Sequence, residues 1–110
     1  MPLIDSPRLS DLDRQAWARL ERYDAALAAR LPLDEMAEKA RQVIRDFAAA
    51  GPCYVSVSWG KDSVVVAHLA ATCGVRLPMV WVRVRRWENP DCPAVRDAFL
   101  AEYGDRVDYR

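Results

Sequence analysis

Cys53-Tyr54-Val55-Ser56-Val57-Ser58-Trp59-Gly60-Lys61-Asp62-Ser63-Val64-Val65-Val66-Ala67-His68-Leu69-Ala70-Ala71 is the stretch that decides the fold. Its opening is β-branched and aromatic, which predicts a strand over 53–58. Its close is an apolar run that predicts a helix over 62–73, with Gly74 suited to the position just past the helix end. Between them lies a polar turn, Ser58–Ser63, containing one glycine. A helix that starts right after a tight turn aims several free backbone N–H groups at one spot, with its positive dipole end behind them. That is an anion site, and phosphate is its commonest occupant. Gly60 has no Cβ and lets the backbone come close to the anion. Lys61 adds a mobile point charge, and Ser58 and Ser63 add hydroxyl donors. The plainer reading is a capped turn, with Asp62 or Ser63 as N-cap and Lys61 in solvent. Such a turn needs neither Ser58 nor Lys61.

Downstream the pattern repeats. Met79–Val84 follows Pro78 and predicts a second strand. Arg85-Arg86-Trp87-Glu88-Asn89-Pro90-Asp91 is a loop, and Pro93 suits the first turn of a helix that ends near Tyr103-Gly104. Val107–Arg110 opens a third strand. Strand, helix, strand, helix, strand implies right-handed crossovers and a parallel sheet. Ligands of such sheets sit at the carboxyl ends of the strands. The 58–63 turn leaves the end of the first strand, and Arg85, Arg86 and Trp87 leave the end of the second. Two arginines and an indole beside an anion site suit phosphate or purine contact, or form a basic surface loop.

Upstream, two amphipathic helices are expected. Ser10 is a good N-cap, with Asp11 and Asp13 in the first turn. Leu12, Ala16, Leu20, Tyr23, Leu27 and Leu31 make one apolar stripe, which Pro32 ends. Leu33, Met36, Ala40, Val43, Ile44 and Phe47 make the second stripe, stopped by Gly51-Pro52. These apolar and aromatic side chains are expected in the core. The pair forms either a helical hairpin, or one helix packed on the sheet after a looser arm.

The 110 residues suit one core. A 52% hydrophobic, 29% charged composition is that of a globular chain. Net charge is zero, so no basic field argues for nucleic acid. No apolar run reaches membrane-span length, and the N-terminus lacks a basic region followed by an apolar one, so a cytoplasmic protein is expected. Cys53, Cys73 and Cys92 are odd in number and widely spaced, and there is one histidine. Neither a disulfide framework nor a metal site built from these residues is expected. Cys92 is expected to be the most exposed of the three. His68 is expected to be packed or partly exposed.

The turn does not fit the Walker P-loop, which needs an earlier glycine where Val55 stands and Ser or Thr where Asp62 stands. It resembles instead the PP-loop of the ATP pyrophosphatase superfamily, the adenine nucleotide alpha hydrolase-like proteins, which reads roughly Ser-x-Gly-x-Asp-Ser. The Ser-x-Gly-Lys-Asp-Ser form is similar to the branch of phosphoadenosine phosphosulfate (PAPS) reductases and the ATP sulfurylase small subunit. Trp59 stands where many members carry Gly or Phe, an exchange expected to reshape the loop or cover the nucleotide. The resemblance spans 53–110 in element order and is sharp only at 58–63.

The resemblance implies an α/β fold: a partial doubly wound parallel sheet of three strands, of the adenine nucleotide alpha hydrolase type. It divides the chain into an N-terminal helical segment, 1–52, and a nucleotide-binding region, 53–110. It implies ATP or PAPS as ligand, with Mg²⁺. Ser58, Trp59, Gly60, Lys61, Asp62 and Ser63 would surround the phosphates, and Arg85 and Arg86 would add contacts. Lys61 would be the catalytic residue, offsetting developing negative charge. Many members split ATP between the α and β phosphates and adenylylate an acceptor; PAPS reductases reduce a sulfonucleotide.

Three features depart from the family. Arg85-Arg86-Trp87-Glu88 replaces an acidic-Thr-Gly segment, no C-terminal catalytic cysteine has a counterpart, and the later strands are missing before Arg110. The first strand would then expose an edge, which a second protein chain, a homodimer or the N-terminal helices would cover. The expectations are therefore an enzyme of sulfur transfer or nucleic-acid modification, or a non-catalytic nucleotide-binding or regulatory subunit that needs a partner chain. A small interaction protein whose loop is only a turn is the third.

Overall fold

The computed structural model describes residues 4–110. The elements run α1 (Asp11–Ala28), α2 (Leu33–Ala50), β1 (Val55–Ser56), α3 (Lys61–Ala71), β2 (Pro78–Val80), α4 (Cys92–Tyr103), a 3₁₀ turn (Gly104–Arg106) and β3 (Asp108–Tyr109). The architecture is α/β. One parallel sheet has the order β1-β2-β3, with Val55 opposite Met79 and Met79 opposite Tyr109. Pairing continues past the strand ends, because the Val57 amide donates to the Val80 carbonyl at 3.0 Å and the Trp81 amide to the Arg110 carbonyl at 3.3 Å. Both crossovers move one strand in the same direction, and right-handedness therefore puts α3 and α4 on the same face.

Alternation along the strands supplies the core. Val55, Val57, Met79 and Val107 point to the helices, meeting Ala67, Ala70 and Ala71 of α3 and Phe99 of α4. Small residues on α3 let that helix lie close to the sheet. The opposite face carries Tyr54 and Ser56, both exposed. Parallel sheets are ordinarily covered on both faces. The molecule measures 47 × 40 × 22 Å, thin in one direction as a single helix layer on a single sheet layer requires. α3 ends earlier than expected, with Thr72 as its C-cap, so Gly74 lies one residue beyond the position just past the helix end. It adopts φ 90°, the left-handed region that favours glycine, in the turn that leads to β2.

The two N-terminal helices form where their caps and stripes place them. Ser10 accepts from the Asp13 amide at 3.1 Å and Asp13 accepts from the Ser10 amide at 2.8 Å, a closed capping box. Asp13 is correspondingly held below the usual carboxylate range by its hydrogen bonds to Ser10. Of the two expected arrangements, the structure has the second. α2 packs Ile44 and Ala48 against the core, and α1 is the looser arm. Apart from Ile44, the large stripe residues do not reach the core: Leu12 is 76% exposed and Phe47 68%, and no residue of either helix is fully buried. The reason is geometric. α2 meets α3 with one flank of its stripe, and α1 extends away with its stripe in solvent.

Cys92 is also corrected. It is buried in the core, and Cys53 is the more accessible cysteine. The loop ahead of α4 closes on Asn89, whose carbonyl accepts from the Cys92 amide at 3.0 Å and whose side chain accepts from the Asp91 amide at 2.9 Å. That turn makes Cys92 the first helical residue, facing inward.

Candidate functional site: the turn at the head of α3

The 58–63 turn sits where the parallel topology requires, at the carboxyl end of β1 and the amino end of α3. Ser63 is its internal tie. Its hydroxyl donates to the Gly60 carbonyl at 3.1 Å and accepts from the Ser58 amide at 3.2 Å, and the Ser58 and Ser63 hydroxyls lie 3.3 Å apart. Gly60 is the N-cap and no side chain caps the helix. The first-turn amides of Lys61, Asp62 and Ser63 have no carbonyl one turn earlier within the helix to accept them. The Val64 amide, by contrast, reaches the Gly60 carbonyl at 3.0 Å.

Gly60 itself is in an ordinary extended conformation, with φ −79° and ψ 170°. A Cβ built there would meet only the Ser58 hydroxyl oxygen, at 3.7 Å, an ordinary contact. The chain's own packing does not require glycine at 60. The strained residue is its neighbour. Trp59 has φ 62°, in the left-handed region that favours glycine. Its ring is held 2% exposed, with ring centroids 5.3 Å from Phe99 and 5.9 Å from Tyr109. Trp59 therefore combines a left-handed backbone with a buried ring. It packs into the core under the turn and also contributes to the lining of the cleft onto which the turn opens. Its indole N–H is buried without an acceptor among the described residues.

Lys61 and Asp62 pair with each other at 2.7 Å, and both are almost wholly exposed. The Asp62 carboxylate raises the Lys61 ammonium above its usual range, so Lys61 is charged at any ordinary pH. An exposed pair of this kind is weak and readily exchanged for a ligand anion.

The turn opens onto a cleft of about 1010 Å³. Ser58, Gly60 and Lys61 form one end, and Val64, Val65 and His68 of α3 continue one wall. The segment after β2 forms another wall, with Trp81, Val82, Val84 and Trp87. Arg85 and Arg86, expected beside the phosphates, are exposed in this same loop and do not line the cleft. Arg83 holds Glu88 with two guanidinium nitrogens and lies 4.5 Å from the centroid of the Trp81 ring. That hydrogen bond keeps the Glu88 carboxyl below its usual range.

A third wall comes from the N-terminal segment, Ile4, Ser6 and Leu9, with Trp17 of α1. Ser6 is buried and donates to the Asp91 carboxylate at 2.9 Å, and Arg8 donates to the Asn89 side chain at 3.0 Å. All four tryptophans of the chain therefore line one cleft. Nothing in the turn motif points to Trp17 or Trp81. Trp17 did leave a signal, as an indole lying off the apolar stripe of its helix. His68 sits partly buried with its ring edge-on to Tyr103, centroids 5.3 Å apart. Burial is the main cause that lowers its imidazole pKa, with Arg41 adding to it.

Among the described residues, no three His, Cys, Asp or Glu side chains are grouped to hold a metal ion, and no helix is long and apolar enough to cross a membrane. No family model matches the chain, and searches of curated proteins and of solved structures find no match.

Proposed function

We propose that this chain binds an adenine nucleotide, ATP or PAPS, with the phosphates on the 58–63 turn, as a PP-loop protein of the adenine nucleotide alpha hydrolase type. The observation that carries this reading is the uncapped amino end of α3 at the carboxyl end of a parallel strand, opening on a large cleft. Gly60 supports it, since packing there does not require glycine and a missing Cβ would allow close approach by a ligand. Amides 61–63 and the Ser58 hydroxyl would donate to phosphate oxygens. Lys61 would leave Asp62 for the anion and offset negative charge in any transfer step. The Asp62 carboxylate that Lys61 releases would be free to help hold Mg²⁺, which would offset phosphate charge. Arg85 and Arg86 would reach the ligand only if their loop moves. The reading favours a cytoplasmic protein, where these nucleotides are abundant.

Calorimetric titration with ATP and with PAPS, each with and without Mg²⁺, tests it beside Lys61→Ala. Binding by the parent chain that the variant weakens by tenfold or more supports the reading (one ion pair to phosphate contributes about 1.5–3 kcal/mol). A folded chain that binds neither nucleotide contradicts it.

A second reading has its own observation. Among the described residues β1 pairs on one side only, and Tyr54 and Ser56 leave one sheet face bare. Under it the chain is a nucleotide-binding or regulatory subunit, completed by another protein chain or a second copy on that edge. Release of AMP and pyrophosphate from ATP by the chain alone separates the enzyme from this subunit.

A further inference from the structure

Away from the turn, the cleft changes character. Ile4, Leu9, Val82 and Val84 are apolar, and the two carboxylates that line the cleft are already engaged: Glu88 by Arg83, and Asp91 by Ser6 and Arg8. Of the four indoles, Trp59 is packed in the core and Trp81 lies against Arg83 and Arg96. The other two offer free faces. Trp87 is 84% exposed and Trp17 44%, one from the loop after β2 and one from α1, on the same cleft. Exposed indoles on a concave wall suit a flat ligand, and an uncharged one here, because Arg85 and Arg86 next to Trp87 do not line the cleft. The cleft is also at the top of the size range of small-molecule sites, large enough for more than one ligand group.

We propose that this region binds a second molecule beside the nucleotide: an uncharged small molecule with an aromatic ring, stacked on Trp87 and Trp17. This rests on the nucleotide reading in one respect only, that such a molecule would be the acceptor the phosphate end acts upon. Ring binding itself stands on the cleft walls.

The test uses N-phenyl-1-naphthylamine, a neutral aromatic probe whose emission rises in apolar surroundings, titrated into the full chain. Trp87→Ala should fold normally, because so exposed a side chain contributes little to the core. It should weaken probe binding on the order of tenfold. Phe47→Ala, on the exposed face of α2, should leave it unchanged and so excludes binding to the helix patch. Saturating ATP should leave probe binding intact or strengthen it. The proposal is overturned by absence of probe binding, by an unaltered Trp87→Ala, by loss in Phe47→Ala, or by displacement of probe by ATP, which would make the slot the nucleotide's own. If ATP fails to bind while the probe still binds in a Trp87-dependent way, the nucleotide reading fails and the ring site stands.

Discussion

Replacing Trp59 by glycine and by alanine gives opposite answers to two physical terms, and the comparison isolates backbone strain in the turn. The ring is 2% exposed and packs on Phe99 and Tyr109, so either truncation opens a cavity costing about 3–5 kcal/mol. The indole N–H lacks an acceptor among the described residues, and losing it returns roughly 1–3 kcal/mol. Both terms are the same for the two variants. They differ at φ 62°, where alanine retains a left-handed penalty of about 1 kcal/mol that glycine avoids. Unfolded-state entropy acts the other way, by about 0.4–1 kcal/mol. In ordinary helix and strand interiors alanine is the more stable of the two. Here glycine is expected to equal or exceed alanine, both well below the parent chain. Trp59→Phe, which keeps a ring and removes the orphan donor, should lie within about 1.5 kcal/mol of the parent. Urea unfolding followed by circular dichroism gives all four stabilities. An alanine variant clearly more stable than the glycine variant would refute the strained turn. A Trp59→Ala variant as stable as the parent would refute the pinned ring.

Four further outcomes follow from the same geometry. Gly60→Ala should change stability by less than about 1 kcal/mol, as no tight contact awaits its methyl, yet weaken nucleotide binding measured by calorimetry. Ser63→Ala should lose about 1 kcal/mol in urea unfolding, because the hydroxyl joins the Gly60 carbonyl to the Ser58 amide. Glu88 has its pKa lowered on folding, chiefly by the Arg83 hydrogen bond. Its contribution is therefore present above the usual glutamate range and lost as pH falls through and below it, and Glu88→Gln should flatten that part of the stability–pH curve. His68 also has its pKa lowered, chiefly by burial, so the folded chain binds the proton less readily than the unfolded one. Stability should fall as pH drops below the usual imidazole range, and His68→Phe should remove that slope.

Much of the fold was legible because its signals are local. The capping box at Ser10, the glycine after α3, the proline at the head of α4 and the alternation through Val55 and Val57 each act within a few residues. The turn at 58–63 was legible for the same reason. What failed was what depends on long-range packing. A stripe such as Leu12–Leu31 states that a face is apolar and does not state that anything covers it. Cys92 looked exposed because a Pro-Asp-Cys-Pro loop is polar in composition, and only the Asn89 turn directs it inward. The core packing of Trp59 was not legible from the motif, because the rings it meets lie forty and fifty residues away. The convergence of four indoles has no sequence spacing at all, since they come from a helix, a turn, a strand end and a loop.

The most direct test of the account is a ¹⁵N-resolved NMR titration of the chain with ATP and with PAPS, following the backbone amides of Gly60, Lys61, Asp62 and Ser63. The account predicts that these amides shift first and furthest, in a saturable way, with either nucleotide, and that Lys61→Ala raises the concentration required. Shifts confined to other residues, or none in a folded chain at millimolar nucleotide, would contradict the phosphate turn.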